Sequence, residues 1–194
     1  MFFLRRPSTN NIDRFLHDSQ QLPLSYSPIG ILNEKRVGRH VDEEISVIGH
    51  GRADFDRARA AIKAWKPFDI GWVDLFPKQA PIEVGTVVAV LIRHFGFWSL
   101  NGARVLYTVG GGGDARFGFA YGTLTNHAES GEELFEVFLD PEIDTVMYRI
   151  RATSRPQALL ARIGQPIVRR LQARFRRDSA AAITLATTGG DVRQ

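Results

Sequence analysis

Hydrophobic positions along the chain change period near Phe68. Before it, DFDRARAAIKAW places Phe55, Ala58, Ile62 and Trp65 at three- and four-residue steps, which is one face of a helix. Asp54 and Asp56 fall in its first turn and Lys63 in its last, signs that suit the helix dipole. After Phe68 the period is two. Phe68–Leu75, Thr86–Ile92, Arg104–Val109, Phe117–Leu124, Glu133–Leu139 and Thr145–Ala152 are short, rich in β-branched and aromatic residues, and separated by turn residues. They are predicted as the strands of an antiparallel meander. A further strand, Glu44–Ile48, precedes the helix.

The helical period returns in SRPQALLARIGQPIVRRLQARFRRDSAAAITLA. Ser154 is placed to cap a helix, with Pro156 in its first turn, and Gly164 and Pro166 are expected to interrupt or kink it. Beyond that point Ile167, Leu171, Phe175, Ala182 and Ile183 make an apolar stripe, with Arg169, Arg170, Arg174, Arg176 and Arg177 largely outside it. A helix over Gln165–Ala186 is roughly 30 Å long and must lie along an apolar surface. Only the concave face of the sheet offers one of that length. The order strand, helix, six strands, long helix therefore predicts an α+β domain: a curved antiparallel sheet of about seven strands around a long C-terminal helix. Twist lifts such a sheet off the helix at one end, so a cavity is expected between them.

Residues 43–187 are read as this single domain, residues 1–42 as an N-terminal extension packed on it, and residues 188–194 as a disordered tail. The extension holds a short helical candidate, Asn11–Asp18, and the turn-rich LPLSYSPIG. Gly110–Gly113 followed by Asp114 reads as a flexible hairpin tip; it lacks the lysine and the strand-to-helix setting of a phosphate cradle.

Composition narrows the chemistry. With 194 residues, 44% hydrophobic and 24% charged, the chain suits one soluble core. The absence of cysteine removes disulfides, thiolate metal sites and cysteine nucleophiles, and fits a reducing compartment. The start MFFLRRPS has apolar residues before its arginines, the reverse of an export signal, so a cytoplasmic location is expected. The longest strand-like apolar run, VVAVLI, is far too short to span a bilayer. The net charge is +4, and ten arginines from Thr145 onward face only Asp178 and Asp191. A solvated arginine face is the plainer account, and peripheral contact with an anionic membrane is the sharper one. Nucleic acid is not expected as a partner, because Phe175 is the only aromatic among Arg169–Arg177 and base stacking needs more.

The segments GHGRADFDRARAAIKAWKPFDIGW, FGFWSLNGARVLYTV, FGFAYGTLTNHAESGEELF and SRPQALLARIGQPIVRRLQARFRRDSA resemble the DUF1990 family over about Leu24–Ala182, with LSYSPIG matching the family's N-terminal tyrosine and glycine. The element order is similar to the helix-grip fold of the START and Bet v 1 superfamily. That resemblance implies a space that mostly holds lipids, sterols or other hydrophobic molecules. It implies no activity.

Candidate site residues follow from these two readings. One face of the strand Phe117–Leu124 carries Phe117, Phe119, Tyr121 and Thr123; the other carries Gly118, Ala120, Gly122 and Leu124, small residues that let a helix or ligand approach closely. Trp65, Trp72, Trp98, Arg104, Tyr107, Phe119, Tyr121, Phe135, Leu171 and Phe175 are the expected lining of a site for a small hydrophobic ligand. Glu133 shares its strand face with Phe135 and Val137, so it is expected at the cavity edge. There it either pairs with Arg104 or is tuned by desolvation as an acid or base, with His127 orienting it and Glu129 close by. The spacing of these three matches no metal pattern, and neither metal nor cofactor is expected. His50 and His94 read as structural imidazoles, and Arg155, Arg162, Gln172 and Asp178 as residues securing the C-terminal helix to the sheet rim. A binding module, an enzyme using Glu133 with His127, and an anionic-surface binder using the arginine-rich helix all stand as readings.

Overall fold

The computed structural model describes residues 1–32, 41–94, 96–111, 113–156 and 165–189. Strands β1 (Phe2–Phe3), β2 (Asp42–His50), β3 (Val73–Phe76), β4 (Val87–Arg93), β5 (Trp98–Val109), β6 (Arg116–Thr123), β7 (Glu129–Asp140) and β8 (Thr145–Pro156) form one antiparallel sheet. The described helices are α1 (Thr9–Ser19), α2 (Gly51–Lys63) and α3 (Gln165–Thr187), and a 3-10 turn at Lys66–Phe68 follows α2. The sheet order is β2-β8-β7-β6-β5-β4-β3, and β1 pairs with the first residues of β5. The curved sheet grips α3, as the alternating pattern and the long apolar stripe predict.

Alternation along the strands sorts residues onto two faces. The inner face carries Val88, Val90, Ala103, Val105, Phe119, Tyr121, Phe135, Val137, Tyr148 and Ile150, which form one buried cluster with Phe55, Ala58 and Ile62 of α2 and Ile183 of α3. Rings pack through it: Trp65 edge-on to Phe119 at 4.7 Å, Phe119 stacked with Phe135 at 5.3 Å, and Phe68 tilted against Phe175 at 5.5 Å. Helix α2 starts where the His50 amide donates to Asp54 Oδ2 at 2.7 Å. Just past its end, the left-handed backbone of Trp65 (φ 56°) turns the chain into the 3-10 turn while its indole N–H donates to Ala80 O at 2.8 Å.

Several polar contacts hold α3 at its post, two of them at its middle. Ser179 Oγ meets the Tyr148 hydroxyl at 2.8 Å, and Trp72 Nε1 donates to Asp178 Oδ2 at 2.8 Å. On the outer face α1 covers Ala89, Leu91 and Leu100 with Ile12 and Phe15. The segment after it runs along β6, with Ser25 N donating to Thr123 O and Leu32 packed on Ala120 and Leu134.

The structure corrects several boundaries. Strand β5 begins at Trp98 rather than Arg104, and β7 at Glu129 rather than Glu133. Ser154 and Pro156 lie in β8, not in a helix start. Pro166 is the second residue of α3, a first-turn position where its missing N–H has no intrahelical partner to lose, so it need not kink the helix. Gly164, Arg162 and residues 190–194 of the expected tail 188–194 lie outside the described residues, whereas the Thr188 amide still donates to Thr184 O at 2.9 Å. The glycine face of β6 admits neither helix nor ligand. A Cβ on Gly122 would stand 2.5 Å from the Tyr26 hydroxyl and 3.1 Å from Leu24 Cδ2, so the N-terminal segment is what approaches there.

Candidate functional site

Between the sheet and α3 lies a cavity of about 850 Å³. Its apolar wall comes from Phe68, Trp72, Val90, Ile92, Leu171 and Phe175, and Phe2, Leu4 and Phe97 lie on its border with solvent. Its polar wall is assembled at the β6–β7 turn and the start of β7, where His127, Glu129 and Glu133 face the cavity with Thr123, Ser154 and Gln172.

Each polar side chain is held by a neighbour. Asn101, buried on β5, donates to Val90 O at 3.3 Å and Ser99 Oγ at 3.0 Å, and its carbonyl accepts the Ala128 amide at 3.2 Å. This anchors the turn. His127 Nδ1 accepts the Glu129 amide at 2.9 Å, which leaves the ring proton on Nε2. Burial holds the imidazole neutral down to about pH 4. The Glu129 carboxylate accepts Gln172 Nε2 at 3.1 and 3.0 Å, and that amide also reaches Ser154 Oγ at 3.1 Å, tying α3 to the rim of β7 and β8. Desolvation raises the Glu129 proton affinity. Glu133 Oε2 accepts the Tyr121 hydroxyl from the paired position on β6 at 2.7 Å. Burial first, and the Glu129 charge after it, push the Glu133 carboxyl up to about 7 against the opposing pull of Tyr121 and Arg176.

Of the residues expected to line a ligand site, Trp72, Tyr121, Leu171 and Phe175 do face this cavity, as do His127, Glu129 and Glu133. Trp65, Phe119 and Phe135 share the inner face but are fully packed among one another and α2. Trp98, Arg104 and Tyr107 are on the wrong side. Trp98 packs outside with Phe3 and lies beneath the Arg6 guanidinium. Arg104 donates to Gln20 O at 2.9 Å and Leu22 O at 3.0 Å, so it meets neither Glu133 nor an open headgroup site. A bulge between Val105 and Tyr107 reverses the facing of β5, leaving Val105 inside and Tyr107 opposite outward-facing Ala120. His127 does not orient Glu133, because its Nδ1 is committed to the Glu129 amide; Tyr121 takes that part.

Glu132 was not singled out by the pattern, yet it organises the outer face. It is 2% exposed, accepts Tyr26 Oη at 2.9 Å and Gly30 N at 2.9 Å on Oε2, and accepts Tyr107 Oη at 2.8 Å on Oε1. The tyrosine and glycine of LSYSPIG are thus the two N-terminal partners of one buried carboxylate. Gln172 and Asp178 do secure α3. Arg155 is exposed, His94 bonds Ser99 Oγ at 2.7 Å, and the His50 amide caps α2. On α3, Arg169, Arg170 and Arg177 are exposed, whereas Arg174 pairs with Asp178 and Arg176 with Glu44. Among the described residues, no helix is long and apolar enough to cross a membrane.

The raised Glu133 carboxyl gives a pH test. Its folded value lies above the ordinary 4.5, so the folded state holds the proton longer than the unfolded chain. Stability is lost as pH rises from 4.5 through about 7. Glu133→Gln removes that loss and is expected to be the more stable protein by roughly 2 kcal/mol at pH 8, after allowing for solvent screening in the cavity, with little difference at pH 4. Urea unfolding of both proteins at the two pH values measures it. The opposite trend from His127 is common to both proteins and cancels in the difference. An equal difference at the two pH values refutes it.

Comparison with known proteins agrees with this architecture. Residues 25–182 match a family model described as a domain of unknown function, DUF1990. A UPF0548 protein of Dictyostelium discoideum is 35% identical, with 92% of each chain covered. Among solved structures, a hypothetical protein from Helicobacter pylori superposes with a TM-score of 0.53 at 12% identity, covering 76% of this chain and 86% of that one. The Zhui aromatase/cyclase from Streptomyces sp. R1128 superposes with a TM-score of 0.51 at 11% identity, covering 77% and 93%. Identities this low speak for the fold alone, which is the helix-grip arrangement of START and Bet v 1-like proteins. By the span of the family match and the similarity of its relatives, the chain belongs to the DUF1990 family.

Proposed function

We propose that this protein is a binding module for a small, largely apolar molecule held between the sheet and α3. The observation that carries the proposal is the cavity of about 850 Å³, walled by Phe68, Trp72, Val90, Ile92, Leu171 and Phe175. Ligand sites have this size and make-up, with few polar groups placed on an apolar wall. Burial of an apolar guest is favourable by roughly 25 cal/mol per Å² removed from water. The polar wall at Glu129 and Glu133 then fixes which end of the guest points where.

The neutral fluorophore N-phenyl-1-naphthylamine tests the proposal directly. Saturable enhancement of its emission is expected on titration with the wild-type protein. Ala152 faces the cavity beside Glu133, so Ala152→Phe is expected to fill space and weaken the probe at least tenfold while the unfolding midpoint moves little. No saturable enhancement with wild-type protein, or a full-strength response in the filled variant, counts against a binding cavity.

A catalytic use of the same cavity has one observation in its favour. Glu133, with Tyr121 as its hydrogen-bond partner, has a proton affinity near neutrality, the condition for exchanging a proton with a bound substrate. In that reading Glu133 is the acid or base and Tyr121, not His127, positions it.

A further inference from the structure

Charges on the cavity wall decide what kind of polar end its guest carries. Glu129 and Glu133 come from β7 and Asp42 from β2; the carboxylate of Glu132 is turned to the outer face, onto Tyr26, Gly30 and Tyr107. Against these acids, the one arginine of the wall among the described residues is Arg176 of α3, and its guanidinium is bonded to Glu44 at 3.3 Å. The two imidazoles of the wall, His94 and His127, are uncharged at neutral pH because burial lowers both. The Met1 ammonium is bonded to Leu100 O at 2.9 Å. Tyr121 and Tyr148 keep their protons, burial raising both well above their usual range. Above the pH at which Glu133 gives up its proton, with Arg176 as the one nearby cation that favours its ionised form, the wall therefore carries more negative than positive charge, set among apolar side chains where charge interactions are strengthened.

The hydrogen-bond inventory agrees. A carboxylate accepts at two oxygens, and the contacts found for Glu133 among the described residues use only Oε2, from Tyr121. Glu129 receives bonds from Gln172 Nε2 and from the Ser154 hydroxyl. Glu133 thus keeps one whole oxygen for a guest and Glu129 only the lone pairs these two donors leave, while an anionic guest would meet two acids and an already paired arginine. The aromatic side chains of Phe68, Trp72, Tyr121 and Phe175 also line the cavity, and aromatic rings attract cations where a face is open to them.

We infer that the cavity selects an apolar molecule bearing a protonated amine, with Glu133 and Glu129 as its counter-charges, in preference to a fatty acid or another apolar anion. This rests on the proposed binding function and assigns the chemical class of its ligand. Binding a cation requires ionised Glu133, so affinity falls by about tenfold for each pH unit below the value at which Glu133 takes its proton.

Decylamine, decanol and decanoate, each displacing N-phenyl-1-naphthylamine from the full-length protein at pH 8, isolate the charge because their chains match. Decylamine is expected to bind at least tenfold more tightly than decanol, and decanoate more weakly than decanol. In Glu133→Gln the amine-to-alcohol ratio is expected to fall toward one, and Glu129→Gln is expected to lower it in the same direction. At pH 6 the wild-type ratio is expected to shrink as well. Decanoate binding as well as decanol, or an amine-to-alcohol ratio that both variants leave intact, overturns the inference while the binding module stands. If the fluorophore binds but none of the three chains displaces it, the amine assignment falls. If the fluorophore itself fails to bind wild-type protein, the binding function falls with it.

Discussion

Gly131→Ala is expected to destabilise the protein by about 4 kcal/mol or to prevent its accumulation in folded form. A Cβ at this position would stand 1.9 Å from Thr153 O and 2.7 Å from Ser154 Cα. Both are backbone atoms of the neighbouring strand, so no side-chain rotation relieves the clash. Gly131 is also tied by its amide to Thr123 Oγ1 at 2.8 Å, and Ser130 Oγ donates to Ser25 O at 3.0 Å. Separating β7 from β8 here would therefore disturb the N-terminal segment as well as Glu129 and Glu133. Gly113→Ala is the control, because a Cβ there meets nothing within 4 Å, and its effect is expected to stay within about 0.5 kcal/mol. Urea unfolding compares the two, and a Gly131→Ala protein within 1 kcal/mol of wild type, roughly the size of an ordinary substitution, refutes the close approach.

The same stretch shows what the order of residues revealed and what it concealed. Period-two alternation identified the strands and placed Tyr121, Glu133 and Phe135 on one face, and it is that face that turns inward. The apolar stripe of α3 was legible, and with it Leu171 and Phe175 at the cavity. Alternation is silent, however, about where a bulge reverses it. Tyr107 and Arg104 lie on β5, and Tyr107 follows the bulge that turns it outward. Asn101-Gly102 has the form of a tight-turn signal, and the strand predicted over Arg104–Val109 stops short of it and of Trp98. In the fold Asn101 and Gly102 lie mid-strand. Asn101 uses its amide on Val90 O, Ser99 Oγ and the Ala128 amide, and Gly102 leaves room for Asn126, whose Oδ1 would be 2.4 Å from an added Cβ. Trp65, Phe119 and Phe135 carry the same sequence signal as the residues that line the cavity, because apolar patterning cannot tell a cavity wall from the packed layer beside it. That distinction depends on where α2 and the 3-10 turn end, a matter of three-dimensional packing.

Glu132 poses the complementary case, a residue whose importance has no local signature. Removing its carboxylate in Glu132→Ala is expected to cost about 4 kcal/mol, because two tyrosine hydroxyls and the Gly30 amide lose a shared, buried acceptor and each orphaned donor is unfavourable by roughly 1–3 kcal/mol, less than additively. Tyr26 and Gly30 belong to the N-terminal segment and Tyr107 to β5. The damage should therefore appear as release of residues 24–32 from the outer face ahead of global unfolding. Amide exchange resolves the order: Ser25 N, bonded to Thr123 O at 2.9 Å, is expected to lose protection before amides of the β7–β8 pairing. Glu132→Gln keeps one carbonyl acceptor, and the tyrosine hydroxyls can rotate to accept from its amide, so it should lose only about 1–2 kcal/mol, near the range for a single hydrogen bond to a charged group. Tyr26→Phe, which removes one donor and leaves the acceptor with its other partners, should fall in the same range. Pairing Tyr26→Phe with Glu132→Ala in a double-mutant cycle then separates the bond from the bystander effects. If the two losses add without coupling, the Tyr26 hydroxyl is not held by this carboxylate, and the N-terminal segment is secured by its other contacts, among them Ser25 with Thr123 and Leu32 with Ala120.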